Sequence, residues 1–339
     1  MKRDTLLDVS RGLIMMYIVC CIHVVYWLCP LREPLASLML FEMPVIFLIS
    51  GASQSLAKSK TLGQMIINRI RRVILPLYIF LVVMAVFYAI VQQFYPVITG
   101  RLTAINILKI LATGGSDKIP YYGYTWFIST YLVVTCLLPI ERKLSRRIPL
   151  LWQLIVNILL FAAIQPLHLP MEIDGMVCYN IFFLLGYLFY KKLSVKNLAA
   201  AAFLPTILSI YGFLSGAVIP MQDHKFPADL WFLCFGFTAI CWWSILYTLL
   251  ERRERIVKLL GSIKLIQLWN KRGYTIYIYQ SISAFLVFMI TRSWIDMLPH
   301  FLELIVYALI TFAVATLMSC LSYPLERFIL RKKVPTISR

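Results

Sequence analysis

The sequence predicts an all-α fold, a polytopic transmembrane helical bundle of about ten spans with the N- and C-termini cytoplasmic. Three observations predict it. Hydrophobic residues fill 61% of the 339 positions and charged residues only 14%, with a mean hydropathy of +0.81; a soluble domain carries about 45–50% apolar and about 25% charged residues. Ten apolar runs approach the length of about 20 residues that a helix needs to cross a bilayer. The basic residues fall between those runs, concentrated at alternate loops.

Span one, 8–28, carries Asp8, Arg11 and His23 and stops before Pro30. An Asp or Arg near a helix centre costs about 2.5–3.5 kcal/mol to insert, so such residues usually have a job. Span two, 36–57, carries Glu42 and the Ser50-Gly51 pair. Residues 60–72 set Leu62, Met65, Ile66 and Ile70 among basic positions, the pattern of a short interfacial helix leading into span three, 73–95. Span four, 122–140, carries several polar residues, and span six, 176–190, is short; span five between them covers 149–167. Spans seven and eight cover 198–219 and 228–250, and a basic loop, 251–273, separates them from spans nine and ten, 274–291 and 303–323. Residues 1–339 are read as a single integral-membrane domain with no attached soluble domain. Lys2 and Arg3 resemble the start of a signal peptide, but the run after them is long, charged and without a small-residue cleavage site, so span one is expected to be retained.

The charge distribution supplies the orientation. Of 33 Lys and Arg residues, 26 fall on the side of the N-terminus, six on the other, and Arg11 inside span one. That is the positive-inside bias of a multi-pass protein, expected here in the inner (cytoplasmic) membrane of the cell. The net charge of +18 does not mark a nucleic-acid binder, which would show one continuous basic face. The eight cysteines show no CxxC pair and no Cys/His cluster in the sequence, so neither a metal site nor a disulfide framework is expected.

Depth relates the polar residues to one another. His23 lies twelve residues beyond Arg11, about 18 Å further along a helix. Glu42, six residues from the outer end of span two, reaches nearly the same depth. A His and a carboxylate at one depth suit a general-base pair in which the carboxylate fixes the tautomer, and equally suit a structural hydrogen-bonded pair. Asp8 and Arg11 suit an ion pair at a helix start. Arg69 and Arg72 suit topology-setting charges, Gly51 a close helix contact, and Trp126 an aromatic belt.

The ordered set of motifs resembles acyltransferase family 3, the integral-membrane O-acetyltransferase-like proteins. Asp8-x-x-Arg11-Gly12 leading to His23 resembles the start of that family, as does Met43-Pro44-Val45-Ile46-Phe47-Leu48-Ile49-Ser50-Gly51. Arg69-Ile70-Arg71-Arg72 before Pro76, Tyr124-Thr125-Trp126-Phe127, and Lys225-Phe226-Pro227-Ala228-Asp229 match further motifs in the same order. The chain departs from the pattern in three places. Arg11 and His23 are twelve apart where the family has eleven, which turns His23 by about 100° unless a π-bulge absorbs the residue. Gln280 stands where many members have His, and Leu325-Glu326-Arg327-Phe328 lacks the family's Pro.

The resemblance implies transfer of an acyl group, usually acetyl, from cytoplasmic acyl-CoA to a hydroxyl of a cell-surface carbohydrate or its lipid-linked precursor, with no bound cofactor. In that layout Arg11, Arg69, Arg71 and Arg72, with Asp8, form the donor-binding end, Arg being suited to bidentate phosphate contacts. The acyl-pantetheine arm passes Ser50 and Gly51, and His23 acts as base or covalent carrier with Glu42 orienting it. Tyr121, Tyr122, Tyr124 and Trp126 supply sugar contacts. The alternative is a membrane transporter or flippase of a glycolipid or polysaccharide precursor, since polar intramembrane residues also mark permeation paths.

Overall fold

The computed structural model describes residues 4–94, 123–167 and 170–331; Tyr121 and Tyr122 lie outside them. The described residues form helices and turns, with one isolated bridge, Lys225 to Ala228, and no strand. Helix α1, Thr5–Tyr17, starts where the Asp4 carboxylate accepts the Leu7 amide at 3.0 Å, satisfying a donor that the helix itself leaves unpaired. A π-turn, Ile18–Ile22, joins it to α2, His23–Trp27. After the short α3, Leu35–Leu38, comes α4, Glu42–Leu56, whose Pro44 sits in the first turn, where no helical partner for its nitrogen is needed.

Helix α5, Leu62–Arg69, runs through a second π-turn, Ile70–Ile74, into α6, Leu75–Phe94. It exposes Leu62, Ile66 and Ile67 while burying Met65, as an interfacial helix does. Then follow α7, Trp126–Leu144; α8, Leu150–Ile164; α9, Met171–Phe189; and α10, Val195–Ser215, which ends on left-handed Gly216 at φ 77°. The chain continues with α11, Met221–Lys225; α12, Leu230–Glu251; α13, Glu254–Ser262; α14, Lys264–Thr291; and α15, His300–Arg331.

Eight of the described helical segments are long and apolar enough to cross a membrane. The other two expected spans, 122–140 and 176–190, coincide with α7 and α9. There α7 carries the charged Glu141-Arg142-Lys143 run, and α9 is apolar but shorter, over Ile173–Phe189. Exposed Val82, Val86, Ile90 and Phe94 recur every four residues down α6, an apolar stripe that a water-soluble protein would bury. The protein is a multi-pass, all-helical membrane protein.

The chain divides into two compact units, each assembled from separate segments. The first comprises Met1–Ile18, Pro30–Met65 and Thr130–Lys271. Its centre is the contact of α4 with α9. A Cβ on Gly51 would lie 1.9 Å from the Phe183 carbonyl oxygen, and one on Gly186 2.0 Å from that of Leu48. The two glycines thus let the backbones touch, the small-residue packing used by helices in lipid. Phe47 stacks on Tyr179 beside this crossing at 4.8 Å. The second unit comprises Val19–Cys29, Ile66–Ser129 and Arg272–Arg339. Within it Phe80 meets Tyr279 edge-on at 5.0 Å, and buried Glu326 accepts the Thr275 hydroxyl at 2.9 Å. The Glu of the Leu325-Glu326-Arg327-Phe328 segment is therefore tied to α14 without the following Pro.

Candidate active site

His23 follows the π-turn directly and is half-buried. A π-turn is an α-helix carrying one inserted residue, so the extra residue between Arg11 and His23 is taken up at Ile18–Ile22. The twelve-residue spacing keeps the helical phase of eleven.

The group that meets His23 Nδ1 is Gln280, whose Oε1 lies 2.6 Å away. An amide oxygen only accepts, so Nδ1 carries the ring proton and Nε2 keeps a lone pair. Gln280 is 1% exposed, and its amide nitrogen makes no hydrogen bond among the described residues. The imidazole stacks on Trp27, four residues along the same helix, with centroids 4.3 Å apart and planes at 11°. Tyr124 and Tyr277 flank it at 6.1 and 6.2 Å. Tyr277 donates to the Tyr124 carbonyl at 2.7 Å and Tyr124 to the Ile278 carbonyl at 2.5 Å, which holds both aromatic walls in place. Trp126 is half-buried and touches Phe127, edge to face, at 6.3 Å.

Gln280 thus meets the imidazole within the second compact unit, whereas Glu42, expected to orient it, belongs to the first. Glu42 Oε1 instead accepts Lys225 Nζ at 2.6 Å, with side chains 2% and 5% exposed. Helix α11 delivers that lysine from a segment the sequence places in an outer loop. The physical reason is charge: a buried carboxylate needs a countercharge, and a neutral imidazole supplies none.

Of the arginines, Arg69 is buried, whereas Arg71 and Arg72 are exposed in the second π-turn. Arg11 pairs with Asp8 at 3.4 Å, as the three-residue spacing predicts, and also donates to Asn270 at 3.2 Å and Ser53 at 2.5 Å. A cavity of about 250 Å³ opens beside that pair, lined by Thr5, Asp8, Gln267 and Asn270 among others. Ser50 is half-buried next to the Gly51 crossing.

Further groups emerge only from the structure. Trp27 and Tyr277 carry a sequence signal, since they lie four residues from His23 and three from Gln280 and so share a helix face with them. Asp4 is held by Tyr190, by Lys191 at 2.5 Å and by Tyr247 at 2.9 Å. Burial alone would raise its carboxyl, but hydrogen bonds from Lys191, Tyr190, the Leu7 amide and Tyr247 outweigh that and hold it at about 2. Cys29, His300 and Glu303, of metal-ligand type, converge at the end of α2 and the first turn of α15.

Comparison with curated proteins and with solved structures found no match in either set. A family model described as an acyltransferase domain matches residues 4–323. With the motif order and the helical membrane fold, this places the chain in acyltransferase family 3.

Proposed function

We propose that this membrane acyltransferase moves an acetyl group from acetyl-CoA to a hydroxyl of a cell-surface carbohydrate or its lipid-linked precursor, in the inner membrane. The observation that carries the reading is the His23–Gln280 contact, which leaves Nε2 of a half-buried imidazole as the basic nitrogen. The acceptor hydroxyl gives its proton to Nε2 as its oxygen attacks the thioester carbonyl. Collapse of the tetrahedral intermediate breaks the C–S bond, and the CoA thiolate leaves with the proton that the imidazolium returns. The Trp27 ring stabilises the transient imidazolium through its π-face.

The exposed Arg71 and Arg72 are the phosphate contacts for CoA, and Arg69 a positioning residue behind them. Tyr124 and Trp126, in the same compact unit as His23, line the acceptor side. Glu42 holds Lys225 and shapes its surroundings without taking part in the proton transfer. The basic loops on the side of the N-terminus support a donor on the cytoplasmic face.

The test is incubation of membranes containing the protein with radiolabelled acetyl-CoA. Label in a carbohydrate or glycolipid fraction, absent without the protein, supports the proposal. Intact glycan export without labelled product would instead make the protein a transporter.

A further inference from the structure

We propose that Cys29, His300 and Glu303 are the three protein ligands of a zinc site whose fourth position faces solvent. Cys29 follows α2, with its amide bonded to the Val24 carbonyl at 2.9 Å. His300 and Glu303 lie three residues apart on the first turn of α15, so their side chains share a face. Residues 271 positions apart in the chain thus converge within one compact unit.

The distances match a tetrahedral metal. Zinc bonds of about 2.3 Å to sulfur and about 2.0–2.1 Å to nitrogen and oxygen, opened at the tetrahedral angle, place S and N about 3.6 Å apart and N and O about 3.3 Å apart. The corresponding separations are 3.7 Å from Cys29 Sγ to His300 Nδ1 and 3.2 Å from that nitrogen to Glu303 Oε2. All three ligand atoms lie within 4.8 Å of one another.

A nucleophile–base–carboxylate relay would use the two ring nitrogens separately. Here sulfur and carboxylate both lie against Nδ1, so the ring does not bridge them through its two nitrogens. A cation between them meets all three donor atoms at once, and its entry releases the Cys29 thiol proton to water. Mixed thiolate, imidazole and carboxylate ligation suits zinc, and three protein ligands leave a fourth position for water.

The surroundings fit such a site. Cys29 is 1% exposed and packs in an apolar cluster with Val24, Val287, Ile295 and Tyr307, which gives the metal a rigid, dry floor. The His300 side chain is 55% exposed, which opens the other side to entry. Bound zinc would fasten the helix that begins at His23 to the start of α15.

The experiment uses the full-length protein in detergent, stripped with a chelator, reloaded with zinc and measured for metal per chain, then repeated with cobalt. Wild type should retain one equivalent of zinc and show a thiolate-to-cobalt charge-transfer band. Cys29→Ser should abolish the band. His300→Ala, a surface change that leaves the fold intact, should weaken zinc affinity beyond the about 10–100-fold that outer-shell changes cost. Cys320→Ser, which alters an exposed cysteine elsewhere, should match wild type. Absence of stoichiometric zinc on wild type, or equal zinc and band intensity in His300→Ala, would overturn the proposal and leave the cluster as a hydrogen-bonded triad.

Discussion

Replacing Gln280 should damage catalysis without weakening donor binding. Gln280 Oε1 accepts the Nδ1 proton of His23 at 2.6 Å. Leucine has similar volume and no acceptor, so Gln280→Leu leaves a buried N–H unmatched and frees the ring to adopt the tautomer with its proton on Nε2. An orphaned buried donor costs about 1–3 kcal/mol, which at 1.36 kcal/mol per decade lowers kcat by about 5- to 150-fold. The KM for acyl-CoA should stay near wild type, because the contact meets the base and not the donor. Gln280→Glu is the control: it keeps an acceptor oxygen of the same reach, and the amide nitrogen it replaces makes no hydrogen bond among the described residues. It should retain more activity than Gln280→Leu. Steady-state acyl transfer in membranes, read as kcat and KM separately, checks this. Wild-type kcat in Gln280→Leu, or a loss confined to KM, would refute the role.

Three other outcomes follow from particular contacts. Deleting Cys21 from the π-turn should yield a regular helix that keeps acyl transfer, whereas inserting Ala after Cys21 turns His23 by about 100° and should abolish it; equal activities would contradict the phase argument. Glu42→Gln and Lys225→Met should each cost about 3–5 kcal/mol, while the double variant recovers most of the loss; melts in detergent report this, and additive losses would argue against the pair. The double variant should also keep acyl transfer, which separates a structural Glu42 from an orienting one. The Asp4 carboxyl is held at about 2 against an ordinary 3.8, so its network stabilises the fold above that ordinary value and the contribution fades as pH falls toward 2. Asp4→Asn should melt lower than wild type at neutral pH, and the gap should close on acidification; a pH-independent gap would be inconsistent with this.

Hydropathy and motif order reveal the apolar helices, the family, His23 and the Asp8–Arg11 pair, because span length and i,i+3 spacing are local properties of a chain. The partners of the buried groups are not local. Depth alone put His23 and Glu42 at one level, but depth leaves the rotation of each helix about its own axis open. Gln280 lies 257 positions from His23, and Lys225 lies 183 from Glu42. Lys225 reads as an outer-loop charge because its neighbours are polar; the short α11 that buries it has no hydrophobic period to announce it. The π-turn was legible only as a mismatch of one residue against the family spacing. Of the Cys29, His300 and Glu303 cluster only the i,i+3 pair His300 and Glu303 is local, and Cys29 lies 271 positions from His300.

The most direct test of the account is single-turnover transfer from labelled acetyl-CoA by purified, correctly folded wild type and His23→Ala. With His23 as the base, the variant should bind acyl-CoA normally and lose about 10²–10⁴-fold in transfer rate. A wild-type rate in His23→Ala would contradict the account at its centre.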